Sequence, residues 1–250
     1  MDKIIDIHSH TLWSIDDGSR SFEETMDMCL DAENDGTSVL LVTPHLMYWD
    51  GAEDLFDIRN EKVSELCEEL EECGSELVIK SGFEILCDDD IFSIKHFLPY
   101  TLCNSRYILI EFNFTKTSEA DVVSWCDYLK SFGLVPIIAH PERYEFVQDD
   151  ITAINRLSDK DVLFQINAGS PAGDFGEMEA LISTRMINCG FADFIGSDAH
   201  SSRGRNTEIS ALLDDYPDEC DMDLLQLAAQ KNPQFILNNG VYVPKRKKYL

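Results

Sequence analysis

Five of the six histidines in this 250-residue chain stand just where an apolar run stops, and several carboxylates end other runs in the same way. His8 and His10 close DIHSH, and His45 closes TPH. Glu84 follows in GFE, Glu111 in LIEF, His140 in IIAHPER, and Asp198 and His200 in GSDAH. Residues i and i+2 of an extended segment point to the same side, so HxH can grip one ion, and DxH at 198 and 200 can do likewise. Imidazoles and carboxylates without a thiolate suit a hard or borderline divalent ion such as Mn²⁺, Fe²⁺, Zn²⁺ or Mg²⁺. Eight or nine such donors are too many for one ion, so the pattern predicts a site of two or three. Asp17 in SIDDGS is a further candidate ligand, whereas its neighbour Asp16 reads first as part of an Asp-Asp-Gly turn. His96, the histidine outside the pattern, reads as structural.

Clustered ions can lower the pKa of a bound water and hold both the attacking and leaving oxygens of an in-line displacement. That chemistry suits phosphoester hydrolysis without a protein nucleophile. It still requires a cation for the non-bridging phosphate oxygens. Arg143 in HPER is the first choice, and Arg205 after GSDAH is preferred to Arg203. The alternative for either arginine is an ion pair with one of the abundant carboxylates. No cysteine has an arginine six positions later, which argues against a cysteine nucleophile. GxGxxG, GxxxxGK[ST] and GxSxG are also missing, so no nucleotide-cradling loop or nucleophile elbow is recognisable.

The elements that must position these residues alternate along the chain. KIIDIH, SVLLVT, LVIKS, YILIEF, LVPIIAH, VLFQIN and ADFIGS read as strands, with helical lengths between them, giving seven βα units. Such a series of parallel strands closes most naturally into a barrel with its chemistry at the strand C-terminal ends. Phe22 to Gly36 is expected as a helix, capped by Ser21 with Glu24 completing a capping box and ended by Gly36. Residues 53–73 are expected as an acidic helix with an apolar stripe of Leu55, Ile58, Val63, Leu66 and Leu70. The region 83–105 is the least regular, with a loop and a short helix.

With 47 acidic residues against 20 Lys and Arg, the net charge of −27 argues against a nucleic-acid partner. The local exception is the basic tail at about 243–250, with Lys245, Arg246, Lys247 and Lys248, which reads as a solvated end leaning on the acidic surface. Eight scattered cysteines without a CxxC pair read as reduced thiols of a cytoplasmic protein. No run approaches the length of a membrane span, and the first residues lack a signal-peptide core. Length and the unbroken series of elements fit a single domain over 1–250.

Taken together, DIHSH, DDGS, TPH, GFEI, LIEF, HPER, QINAGS and GSDAH resemble the polymerase and histidinol phosphatase (PHP) family of metal phosphoesterases. More narrowly, the set is similar to the bacterial protein-tyrosine phosphatases of capsular and exopolysaccharide loci, from the first ten residues past residue 205. The resemblance implies a distorted (β/α)7 barrel holding two or three divalent ions, Mn²⁺ foremost. It implies His8, His10, Glu84, Glu111, His140 and Asp198 as ligands of two adjacent ions with Glu84 shared, and Asp17, His45 and His200 on a third. It further implies that metal-bound hydroxide hydrolyses phosphotyrosine, with a partner tyrosine kinase that has a tyrosine-bearing tail. One departure concerns the residues after TPH. Several members of the family carry a basic residue there, whereas this chain has Leu46, Met47, Tyr48, Trp49 and Asp50. Tyr48 and Trp49 could stack on a phosphotyrosine ring or pack at the rim. Two other functions fit the same motifs: a phosphatase for a small metabolite such as histidinol phosphate, and a catalytically silent metal-binding module that docks on a kinase.

Overall fold

In the computed structural model, which describes residues 3–215 and 220–250, each of the seven apolar runs becomes a strand, and two short strands join them. In chain order they are β1 (Ile4–Ser9), β2 (Thr37–Val42), β3 (His45–Leu46), β4 (Val78–Ser81), β5 (Glu84–Leu86), β6 (Tyr107–Glu111), β7 (Val135–Ala139), β8 (Leu163–Asn167) and β9 (Phe194–Gly196). All pair in parallel, in a three-stranded sheet ordered β1-β2-β4 and a six-stranded sheet ordered β3-β5-β6-β7-β8-β9. The main helices are α1 (Phe22–Asn34), α2 (Ala52–Glu72), α3 (Glu119–Lys130), α4 (Glu145–Asp149), α5 (Ala153–Ser158) and α6 (Glu177–Cys189). Short helices over 210–237 follow. The result is a mixed α/β fold around a curled parallel sheet.

The two breaks in the sheet have local causes. Between β2 and β3 stands Pro44, which has no N–H to give a ladder, so pairing passes from β4 to β5 across it. Between β4 and β5 stands Gly82, where a Cβ would come 2.5 Å from Leu102 Cδ2 and 3.0 Å from its Cα. The sheet ends approach through a parallel bridge between Ser9 and Ala199, with His10 N donating to Ala199 O at 2.8 Å and Asp198 N to His8 O at 2.8 Å. Those two bonds put both HxH and DxH on one rim.

Both faces of the six-stranded sheet are largely buried, as parallel strands require, whereas the edge strand β4 exposes Val78 and Lys80. Leu109, Ile137, Ala139 and Leu163 pack together on one face, while Ile108, Ile110, Ile138, Phe164 and Ile166 pack with residues of α3, α5 and α6. Strand alternation places Glu111 on the face of Leu109, and Gln165 and Asn167 on the face of Leu163. The inner face therefore turns polar at its C-terminal end, where the candidate ligands lie.

Ser21 Oγ accepts from Glu24 N at 3.2 Å, and Gly36 follows α1 with φ +100°. The expected capping box closes one residue early, because Glu24 Oε2 accepts from Arg20 N and not from Ser21. The apolar stripe expected on α2 is also only partly right. Leu66 and Leu70 are buried, but Ile58 is 43% exposed and Arg59 is 2% exposed. Arg59 turns inward because the Gly82 break leaves a carbonyl for it: Nη1 donates to Gly82 O at 3.1 Å, and the guanidinium lies 4.8 Å from the Phe56 ring and 4.5 Å from that of Phe83. Region 83–105 holds β5 and three short 3₁₀ turns, with His96 exposed between two of them and away from the other histidines.

The C-terminal tail leans on acidic residues with Lys245, Lys247 and Lys248 exposed, but Arg246 is half-buried and tied to the body of the protein. Arg246 donates from Nη1 and Nη2 to both oxygens of buried Asp193 at 2.8 and 3.0 Å, and Lys247 pairs with Asp221. Asp193 also accepts from Phe164 N and the Tyr242 hydroxyl, so losing Arg246 strands a buried carboxylate. Arg246→Ala should lower stability by about 3 kcal/mol and the melting temperature by roughly 6–12 °C. A calorimetric shift under one degree would show the tail to be dispensable. All eight cysteines are free thiols, and no described helix is long and apolar enough to cross a membrane.

Candidate metal centre

The rim at the strand C-terminal ends brings all nine sequence-derived ligands into one cluster. His8 comes from β1 and His10 directly follows it, Asp17 lies in the loop beyond, and His45, Glu84 and Glu111 come from β3, β5 and β6. His140 follows β7, and Asp198 and His200 follow β9. His140 and Asp198 both have positive φ, +34° and +53°, a conformation that costs energy in non-glycine residues and persists where surrounding structure holds it.

Three overlapping groups of donors form. In the first, His8 Nε2 and His10 Nε2 face each other at 3.2 Å, with Glu84 Oε2 at 3.2 and 3.1 Å from them and Asp198 Oδ1 at 3.5 Å from each. In the second, His45 Nδ1 lies 2.9 Å from Glu111 Oε1 and 3.1 Å from Glu84 Oε2. His140 joins it through Nε2, 2.9 Å from Glu84 Oε1 and 3.9 Å from Glu111 Oε2. The third gathers His10, Asp17, His45 and His200, with Asp17 Oδ1 3.5 Å from Nε2 of both His45 and His200. Glu84 belongs to two groups, as do His10 and His45, so the donors are shared more widely than the family resemblance implied.

These residues fit divalent cations on structural grounds. Glu84 Oε2 and His45 Nδ1 are buried with close ion-pair neighbours but no well-directed hydrogen bond, and a buried polar atom left so costs about 1–3 kcal/mol. Imidazole nitrogens and carboxylate oxygens converging on common points are what an ion would satisfy.

Three further side chains hold the candidate ligands. Gln165 Oε1 lies 2.8 Å from His8 Nδ1, and Asp16 Oδ2 lies 2.7 Å from His10 Nδ1 while accepting from His45 N at 2.9 Å. Each imidazole is thereby turned with Nε2 toward the cluster. Gln165 Nε2 donates to Asn167 Oδ1 at 3.0 Å, and Asn167 Nδ2 donates to Asp198 Oδ2 at 2.6 Å. The signal for this pair was present: Gln165 and Asn167 are polar residues two apart in an apolar strand, the same spacing as HxH. Asp16 thus orients the candidate ligand His10.

Both candidate arginines reach the cluster through the outer oxygen of Asp198. Arg205 Nη2 pairs with Asp198 Oδ2, and Arg143 Nη1 lies 3.5 Å from the same atom. Their side chains are 35% and 23% exposed, so solvent and ligands reach them. Arg203 is exposed, and its carbonyl accepts from Ser201 Oγ, a turn contact and not a site contact. Tyr48 is 76% exposed, whereas Trp49 packs edge-on against Phe97 and Tyr100.

The protonation balance of the metal-free cluster follows from burial against charge. Burial would raise the Glu84 carboxyl, but the charge on His8 and hydrogen bonds from His10 and His140 hold it well below its ordinary value. His10 moves the opposite way: burial lowers it, yet bonds to Asp16, Asp198 and Glu84 carry it well above the usual imidazole range. His8 and His45 are raised for similar reasons, against burial, by Glu84 and Asp198 and by Glu111 respectively. His200 falls to about 4 through burial and the nearby charge of His10. A metal ligand must be unprotonated, so loading the metal-free protein with Mn²⁺ at pH 7 should expel protons, and acid should weaken binding. Calorimetry in buffers of different ionisation enthalpy measures this. Release of no proton at pH 7 would contradict the assignment.

Comparison with known proteins agrees with the geometry. The chain is 31% identical to CapC of Staphylococcus aureus over 239 residues, covering 94% of this chain and 92% of that protein. It is 28% identical to the tyrosine-protein phosphatase YwqE of Bacillus subtilis over the same shares of the two chains. It is 30% identical to the tyrosine-protein phosphatase CpsB of Streptococcus pneumoniae, covering 81% of this chain and 85% of that one. Its fold matches a chain from the crystal structures of YwqE and CpsB, described as metal-dependent tyrosine phosphatases, with a TM-score of 0.84 at 26% identity and 99% of each chain covered. The family model for capsular polysaccharide synthesis, CpsB/CapC, matches residues 4–238. The chain belongs to the CpsB/CapC family of capsular polysaccharide synthesis.

Proposed function

We propose that this protein is a metal-dependent tyrosine phosphatase acting in capsular or exopolysaccharide synthesis, on a cytoplasmic tyrosine kinase as its phosphoprotein substrate. The observation that carries this reading is the two-sided use of Asp198, whose Oδ1 faces His8 and His10 while Oδ2 meets Arg143 and Arg205. Metal ligands and phosphate-binding cations are thus adjacent on one carboxylate.

His8, His10, Glu84 and Asp198 would hold one divalent ion, Glu84, Glu111 and His140 a second, and Asp17, His45 and His200 a third. Mn²⁺ is the first choice for this mixed set of five imidazoles and four carboxylates. Bound ions would lower the pKa of a water toward neutrality and offset charge on the reacting phosphate. The guanidiniums of Arg143 and Arg205 would bind the non-bridging oxygens, since each has five N–H donors and meets Asp198 through only one nitrogen. Asp16, Gln165 and Asn167 keep the ligands oriented. The continuity of β2 with β3 and of β4 with β5, together with the Ser9–Ala199 bridge, supports a distorted (β/α)7 barrel forming a single domain.

The test is a substrate panel with the Mn²⁺-loaded protein, comparing a phosphotyrosine peptide with histidinol phosphate. Higher kcat/KM on the peptide supports the proposal. Faster turnover of histidinol phosphate would assign the protein to small-metabolite hydrolysis, and binding of a kinase tail without any aryl-phosphate hydrolysis would make it a docking module.

A further inference from the structure

Phe175 lies in the loop between β8 and α6, and its ring is shared by the two arginines of the site. The Arg143 guanidinium carbon lies 5.0 Å from the ring centroid, and that of Arg205 lies 5.5 Å from it. Arg143 is also 4.6 Å from the ring of Phe114, so its guanidinium has an aromatic ring as partner on two counts. Phe114 is fixed elsewhere, against His140 and Tyr144. Phe175 is different: it is part of none of the three apolar clusters formed among the described residues, although it is only half-buried. A phenylalanine whose ring meets two cations and no apolar cluster is not explained by core packing.

The loop that carries it is held from the arginine side. Buried Glu142, next to Arg143, accepts through Oε1 from Asn167 N at 3.1 Å and from Ser170 Oγ at 2.6 Å. Turns closed by Gly173 N to Ser170 O and Asp174 N to Gly169 O then bring the chain to Phe175. Gly173 and Gly176, on either side of Phe175, have φ +90° and +132°, values that an L side chain rarely adopts. The Arg143 turn and the Phe175 loop are thus one bonded unit.

The geometry points to Phe175 as a positioning residue that sets both arginines for phosphate, an inference that rests on the phosphatase reading above. The physical reason lies in how a ring holds a guanidinium. A carboxylate would fix an arginine by occupying its N–H groups and cancelling its charge. A π-face attracts the cation electrostatically without taking up an in-plane N–H, so the N–H groups not spent on Asp198 Oδ2 stay free for phosphate oxygens. In a chain with 47 acidic residues, an aromatic partner at this position keeps the arginines available as an anion clamp.

The experiment compares Phe175→Leu, Phe175→Tyr and Arg143→Ala in the Mn²⁺-loaded full chain. It measures KM and kcat for an aryl phosphate, inhibition by inorganic phosphate, and metal content. Phe175→Leu should raise both KM and the phosphate inhibition constant about tenfold at unchanged metal content, while Phe175→Tyr stays within about twofold of the parent. A Leu variant with parental constants, a Tyr variant as impaired as Leu, or loss of metal in step with activity would overturn the role. If Arg143→Ala itself keeps full activity, the arginine reading fails. If only Arg143→Ala is impaired, that reading stands and the role of Phe175 alone falls.

Discussion

Glu84→Ala, purified and assayed with Mn²⁺, should lose metal and phosphotyrosine turnover together, the turnover by on the order of 10³-fold, equivalent to about 4 kcal/mol of transition-state stabilisation. Its carboxylate bridges four candidate ligands, lying within 3.2 Å of His8, His10, His45 and His140. Removing it takes away the one carboxylate common to these four imidazoles and leaves Asp198 beside His8 and His10 and Glu111 beside His45 and His140, so the effect cannot be confined to one ion. Glu111→Ala is the graded comparison, because Glu111 meets only His45 and His140. It should give a smaller loss of bound metal. Elemental analysis of both variants beside their turnover checks this. Full metal content in Glu84→Ala would remove it from the ligand set.

Arg143→Ala should separate the two quantities. Metal content should stay at the parental level while kcat/KM falls by about 10²–10³-fold, the range for removing one preorganised donor to developing charge. Arg143→Lys should recover only part of it, since an ammonium is a point charge without the planar fork that matches phosphate. Arg143 meets Asp198 at 3.5 Å, a weak contact, so its removal does little to the cluster. An Arg143→Ala protein with parental turnover would place the phosphate-binding role elsewhere.

The candidate ligands were legible in the sequence because each follows an apolar run, and a parallel sheet gathers the C-terminal ends of its strands whatever their order. Local chemistry also fixed the ends of α1, at Ser21 and Gly36. What could not be read depended on contacts far apart in the chain. Arg59 turns inward only because Gly82, 23 positions on, presents its carbonyl, and no helical periodicity reports that. Arg246 finds Asp193 across 53 positions, so a basic tail read locally looked solvated. Gln165 and Asn167 carried the i, i+2 signature of the ligands themselves, but strand-forming neighbours masked it. Phe175 had no sequence signal, because its role depends on two arginines brought together by separate strands.

The most direct test of the central claim, that a shared multi-ion cluster carries the phosphatase chemistry, is a chelator titration of the purified protein. Metal content and phosphotyrosine hydrolysis would be followed on the same samples. Activity should fall with bound metal, reach background when the metal is gone, and return on adding Mn²⁺ at a stoichiometry of roughly two to three ions per chain. Undiminished hydrolysis by chains stripped of metal would contradict it.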